Sequence, residues 1–378
     1  MTRIDLTGLD VRPAQVWGGV RLVPLVRDEP VAGLRLHRQV YEGGDGPDAV
    51  EVGDGTTYTS YIPHGFVADW SGTGAQAASY GTRLGAEPPA AVPLRRLARR
   101  RQGEPRLRFL PLHLALEGYL ALHFGGPSVV WDEWSRDAVR RGLSPRAEAA
   151  YAGWQVPGLA EALRVFEIHP GQCGMMLYVS DALAAAFVVP HPDDYRLLHP
   201  TLVEDLFGEL VHQYTHYGAP VADFTTSLES GAVHSLTQLR AAARAQERAW
   251  AEAHDGLMAR DLLQTPYAYE RVYRMGGFRL FRFLPPFLRS GQEQHIGELI
   301  SDHRGRTAYL KTFRLSENQI RRGYLLRRLA DCDWHLGRTA EALGTSYAEV
   351  VARIERAGLG SLLNAHVVAR RLRDTAET

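Results

Sequence analysis

RVFEIHPGQCGMMLYVSDALAAAFVVPHPDDYRLLHPTLVEDLFGELVHQYTHY, residues Arg164–Tyr217, is the stretch on which the fold turns. Met175–Val179 and Leu183–Val189 are short apolar runs separated by Ser180–Asp181, the pattern of two strands joined by a tight turn. Arg164–Ile168 (RVFEI) reads as a further strand, ended by His169–Pro170–Gly171. Pro192 cannot continue a central strand, so the sheet is expected to stop there. From Asp193 the leucines recur at nearly every fourth position, which predicts a helix. Pro200 breaks or restarts it, leaving Leu202–Tyr217 as the main piece.

Upstream of this stretch the chain reads as β. Val20–Val26, Leu34–Tyr41, Thr57–Ile62 and Gly65–Trp70 are short, β-branched or aromatic, and bounded by Gly, Asp and Pro. An Arg-rich connector follows, with Arg95, Arg96, Arg99, Arg100 and Arg101, and reads as a solvated turn more readily than as a phosphate patch. Phe109–Phe124 is apolar and carries Glu117. A carboxylate within such a run needs a partner or a raised pKa, which makes Glu117 a site candidate, with a hairpin-turn Glu as the alternative. Trp131–Arg141 reads as a short amphipathic helix.

Downstream, residues 235–263 predict a helix capped by Ser235. Tyr267–Leu288 interleaves Tyr, Phe and Arg; it reads as a packed helix–loop, with base stacking as the functional alternative. Ser316–Gln319 is a capping-box pattern opening a helix through about Asp331. Gly337–Leu343, stopped by Gly344, and Tyr347–Ala357, opened by a second box at Ser346–Glu349, complete a helix-turn-helix pattern.

The expected fold class is therefore α+β: a β-rich N-terminal part with a central hairpin and helix, and a mostly helical C-terminal half ending in a helix-turn-helix. The expected division is 1–220, a helical connecting region over 221–312, and a tri-helical module over 313–378.

Composition excludes some classes of function. There are 43 basic and 43 acidic residues, so no global field attracts nucleic acid. The basic residues are arginines save Lys311, as expected of a high-GC bacterial genome. Cys173 and Cys332 lie far apart and make neither a metal spacing nor a disulfide framework, which fits a reducing cytoplasm. Met1–Asp10 has no apolar core of a signal peptide, and no run approaches the roughly 18 apolar residues that span a bilayer, so no membrane contact is expected.

Four chemical readings remain. PHPDD (Pro190–Asp194), following an apolar strand, resembles the metal motif of zinc-dependent deacetylases of the LmbE/PIG-L type. That resemblance implies His191 and Asp194 as ligands and Asp193 as base of a metal-dependent hydrolase, with His212 or His216 completing the site. The structural alternative is a helix start: Pro192 at the first helical position, Asp193 and Asp194 in a first turn that favours carboxylates. Glu167 and His169 make a metal-free acid–base pair with Glu117 if they converge on one pocket. Leu329–Leu359 is similar to the Fis-type helix-turn-helix through Thr339–Ala340, Leu343–Gly344 and Gly358–Leu359. It implies duplex DNA as partner and Tyr347, Arg353 and Arg356 as contacts, although Glu349 and Glu355 repel phosphate.

The order of features from Gly18 to Tyr217 resembles the bacterial ARG- and rhodanese-phosphatase-superfamily-associated protein domain, the ARPP group. Gly19–Leu25 (GVRLVPL), the L-x-L…E-G stretch at Leu114–Gly118, and the hairpin with its P-x-x-Y helix entry at Pro192–Tyr195 carry the resemblance. It implies a bacterial cytoplasmic protein associated with ADP-ribosylglycohydrolases and with ADP-ribose or RNA-repair chemistry. It supplies no catalytic residues and no cofactor. The favoured expectation is an accessory or ligand-binding component with a nucleotide or ADP-ribose-type ligand.

Overall fold

The computed structural model describes residues 3–36 and 158–363, save positions 207, 226, 229, 230, 232, 276, 289 and 290, together with short strand segments between residues 50 and 108. Its centre is one nine-stranded antiparallel sheet. The strands are β1 (Asp10–Val11), β2 (Gln15–Trp17), β3 (Val20–Val26), β4 (Gln172–Val179), β5 (Ala182–Val188), β6 (Ala268–Met275), β7 (Phe278–Leu284), β8 (His295–Ser301) and β9 (Thr307–Arg314). They run in the order β1-β3-β4-β5-β9-β8-β7-β6, and β2 also pairs with β3. Eight shorter strands between Arg35 and Arg108 form three small sheets.

The central hairpin forms as its sequence predicts. Ser180 and Asp181 have φ of 50° and 60°, the left-handed pair that a two-residue hairpin turn requires. Asp181 accepts a 2.8 Å hydrogen bond from the Arg21 guanidinium, tying the turn to β3. Every residue of β3, β4, β8 and all but the last of β9 is buried, so both faces of the mid-sheet are covered. That explains the runs without apolar–polar alternation.

Pro24 sits inside β3 because its neighbour strand is interrupted there. β1 pairs with Leu25–Val26 and β2 with Val20–Leu22. The Pro24 carbonyl accepts from Arg12 N–H in the gap between them, so the missing amide proton faces a place where no ladder partner waits.

Seven helices are relevant to the site: α1 (Pro192–Pro200), α2 (Gly208–His216), α3 (Leu236–Ala253), α4 (Arg260–Gln264), α5 (Glu317–Asp331), α6 (Leu336–Ala342) and α7 (Tyr347–Arg356). Pro200 ends α1, and a wide turn, Thr201–Leu206, leads to α2. Ser235 caps α3 as expected, but a second wide turn at His254–Met258 separates it from α4.

Three expectations are corrected. Arg164–Ile168 is not a strand: a helical turn, Leu159–Ala162, continues into a 3-10 turn over Leu163–Val165. The buried residues are Leu159, Leu163 and Phe166, four and three apart, which is helical spacing. Tyr267–Leu288 is not a helix–loop but supplies the hairpin β6–β7, with aromatic residues at alternate positions 267 and 269, then 281 and 283. The stretch 221–312, expected as a helical connector, holds α3 and α4 but then completes the same sheet with β6, β7, β8 and most of β9. The C-terminal half is thus a mixture of strands and helices. The fold class stays α+β.

A row of charges crosses the sheet. Lys311, Glu298, Arg282 and Glu270 stand opposite one another on β9, β8, β7 and β6. Lys311 Nζ lies 3.3 Å from Glu298, both side chains at zero exposure. Arg282 makes two 2.7 Å hydrogen bonds to Glu270 at the edge. Burial pushes the Lys311 ammonium below its usual range, and the Glu298 carboxylate opposes that shift.

α5 joins two cores. Its Ile320 and Tyr324 pack on the sheet core, while Leu325, Leu326 and Leu329 form a smaller core with Ala340, Val350, Ile354 and Leu359. Gly323 lets the Phe287 ring approach: a Cβ there would stand 2.2 Å from the ring.

Candidate functional site

The Pro190–Asp194 segment is a helix start. The His191 Nδ1 accepts from Asp193 N–H at 3.1 Å, making His191 the cap of α1. Pro192 occupies the first helical position, with Asp193 and Asp194 in the first turn. Asp193 is engaged by Arg196 at 2.6 Å, and the same guanidinium donates to the Pro170 carbonyl. Asp194 is buried at 1% exposure. His212 and His216 lie edge-to-face 5.0 Å apart on α2, and His216 faces Trp17. Among the described residues, no group of three or more His, Cys, Asp and Glu side chains is arranged to hold a metal ion.

Glu167 and His169 are both exposed. The His169 Nδ1 accepts from Gly171 N–H at 3.2 Å, shaping the turn before β4. The pair therefore lacks the enclosed setting that acid–base catalysis needs. Glu117, the rest of Phe109–Phe124 and Trp131–Arg141 lie outside the described residues.

Two buried polar pairs escaped the sequence reading. Tyr195 hydrogen-bonds the His199 Nδ1 at 2.8 Å beneath α1. Burial lowers the His199 pKa to about 4 and raises that of Tyr195. The Tyr178 hydroxyl meets the His254 Nε2 at 2.7 Å, and the His254 Nδ1 meets Asp255 at 2.8 Å. In the neutral ring, the Asp255 acceptor fixes the proton on Nδ1, so Nε2 accepts from Tyr178. Burial first, then the Glu293 and Asp255 charges, keeps that tyrosine protonated. His254 also stacks on Trp250, with ring centroids 5.2 Å apart. These contacts pin the wide turn after α3 to β4; in sequence AEAHD continues the helix expected over 235–263, so nothing there signals it.

A concave surface with convergent polar groups lies between α5 and α7. A groove of about 920 Å³ is lined by Arg321, Arg322, Tyr324, Glu349, Arg353 and Arg356 among others. Of its four arginines, Arg353 and Arg356 engage Glu349, Arg321 pairs with Glu317 on its own helix, and Arg322 bonds a backbone carbonyl. A second cleft, about 460 Å³, shares Ser316 and Arg321 and reaches Glu293 and Arg314 at the sheet's end. The Ser316–Gln319 capping box forms and sets the start of α5. Gly344, at φ 60°, turns the chain from α6 to α7, and Ser346 caps α7 through Glu349 N–H.

The expected reciprocal box at Ser346–Glu349 is only half made. The Glu349 carboxylate turns instead to Arg353 Nε (2.9 Å) and Arg356 Nη2 (2.7 Å), both on one oxygen. Those two guanidiniums hold Glu349 below the usual carboxylate range. Arg322 is the most enclosed of the lining arginines, its Nε donating to the Ala357 carbonyl at 2.8 Å. Arg328 covers the Tyr324 ring at 5.2 Å. Of these groups the sequence reading singled out Arg353 and Arg356; Arg321 and Arg322 join them only because α5 crosses α7.

A family model described as ARPP-2 matches residues 4–276. The chain belongs to the ARPP-2 family. The ARPP-2 span runs from before β1 through β6, so its boundary falls inside the sheet and not at residue 220. The arginine groove, on α5 and α7, lies beyond it. Neither a curated protein nor a solved structure matches the chain. No described helix is long and apolar enough to cross a membrane.

Proposed function

We propose that the protein is an accessory, ligand-binding component of nucleotide metabolism, taking an anionic ADP-ribose-type ligand in the α5–α7 groove. The observation that carries this is the groove's lining, four arginines around about 920 Å³, two of them sharing Glu349 and one paired with Glu317 at its edge. That volume suits a small-molecule ligand, whose sites span roughly 300–1,000 Å³. Guanidinium forks match phosphate oxygens in pairs, which fits a diphosphate better than an uncharged ligand. ARPP-2 membership supports the accessory role through the association the family resemblance implies, including RNA repair. Calorimetric titration with ADP-ribose and with adenosine tests the reading. ADP-ribose should bind saturably and adenosine should not, and Arg353→Gln with Arg356→Gln should weaken ADP-ribose at least about tenfold. Absence of saturable ADP-ribose binding at low salt overturns it.

A second reading is a DNA-binding regulator; what supports it is the left-handed Gly344 turn between α6 and α7 and the Ser346 cap of α7. It predicts salt-sensitive duplex binding that Arg353→Glu abolishes.

A further inference from the structure

Glu349 has an unusual position for a lining carboxylate. It stands at the third position of a Ser-capped helix, where its side chain is expected to return to the Ser346 amide. It bridges Arg353 and Arg356 instead, through a single oxygen, Oε1. All three side chains are substantially open to water, at 38%, 42% and 66% exposure. Exposed pairs at this spacing are weak, and salt screens them. The bridge is thus strong enough to set the direction of two guanidiniums and weak enough to be exchanged.

We propose that Glu349 is an internal stand-in for a phosphate: it keeps Arg353 and Arg356 parked at the mouth of the groove and is displaced when a pyrophosphate-bearing ligand enters. This rests on the reading of the groove as an anion site. The exchange trades one carboxylate for a more highly charged group with more acceptor oxygens, so a diphosphate competes well and a monoanion poorly. The released Glu349 can return to the Ser346 amide, completing the box that stays half made while Glu349 bridges the two arginines. Glu349 thereby excludes simple carboxylates and chloride from a groove that would otherwise attract any anion.

The test uses the full chain, with inorganic pyrophosphate and acetate as probes at fixed ionic strength, comparing the unaltered protein, Glu349→Gln, and Glu349→Gln with Arg353→Gln and Arg356→Gln. Glu349→Gln should bind pyrophosphate about fivefold more tightly, the effect of removing one charge at contact distance in a water-like dielectric. It should also gain measurable acetate binding, and the triple variant should lose both. Equal or weaker pyrophosphate binding by Glu349→Gln, with the unaltered protein binding, overturns the stand-in and leaves the groove reading intact. No binding of pyrophosphate by either protein overturns both.

Discussion

At the scale of single residues, buried titratable groups decide how the protein responds to pH. His199 has its pKa lowered to about 4 by burial, against an ordinary value near 6.5. The unfolded chain therefore binds a proton that the native ring refuses. Its contribution is complete above about pH 6.5 and is lost as pH falls toward 4, by roughly 3 kcal/mol over that interval. Urea unfolding at pH 7 and 4.5 should show this loss, and His199→Asn should flatten the slope; an unchanged slope would remove His199 as its source. Lys311 and Glu298 behave differently because each depends on the other. Lys311→Met leaves a carboxylate in the sheet interior and should cost about 3–5 kcal/mol, while adding Glu298→Met should recover most of it. His191 caps α1 through its Nδ1. His191→Ala should lower stability by about 1 kcal/mol, readable as a small fall in Tm.

At the scale of elements, α5 is set by one close approach. Ala is the better helix former by about 1 kcal/mol, yet Gly323→Ala would drive a methyl group into the Phe287 ring. The substitution should therefore destabilise by about 1–3 kcal/mol, and Phe287→Leu should relieve it; a rise in Tm for Gly323→Ala alone would refute that packing. The same scale shows what sequence makes legible. The β4–β5 hairpin announces itself through two apolar runs and a turn dipeptide. The helices α5, α6 and α7 are announced by Ser caps and Gly stops, which act locally. β6 and β7 are hidden because Arg and Glu alternate with aromatics where one face is half exposed. β8 and β9 are hidden because His295, Glu298 and Lys311 break an otherwise apolar pattern, and only a cross-strand partner makes those charges tolerable inside.

At the scale of the whole molecule, the sheet draws strands from both ends of the chain, with β3 beside β4 and β5 beside β9. A chain ended at residue 220 would leave the β5 edge bare and half the sheet core unmade. It should be recovered aggregated or without a cooperative melting transition, whereas a cooperative transition would show that residues 1–220 fold alone. The groove is a property of the same scale. Each of its helices is readable separately, but the convergence of Arg321 and Arg322 with Arg353 and Arg356 depends on how α5 crosses α7 over the small core. No spacing along the chain encodes it.

The buried charge row has a chemical corollary. Lys311 is the chain's single lysine, and its amine has no exposed surface. An amine-acylating reagent thus finds no lysine to modify while the sheet is closed, and any modification of Lys311 clocks the opening of β8 from β9. Its labelling rate, followed by peptide mass spectrometry, should rise with urea in step with the unfolding fraction. Rapid labelling in native buffer would instead reveal local opening at the very centre of the sheet.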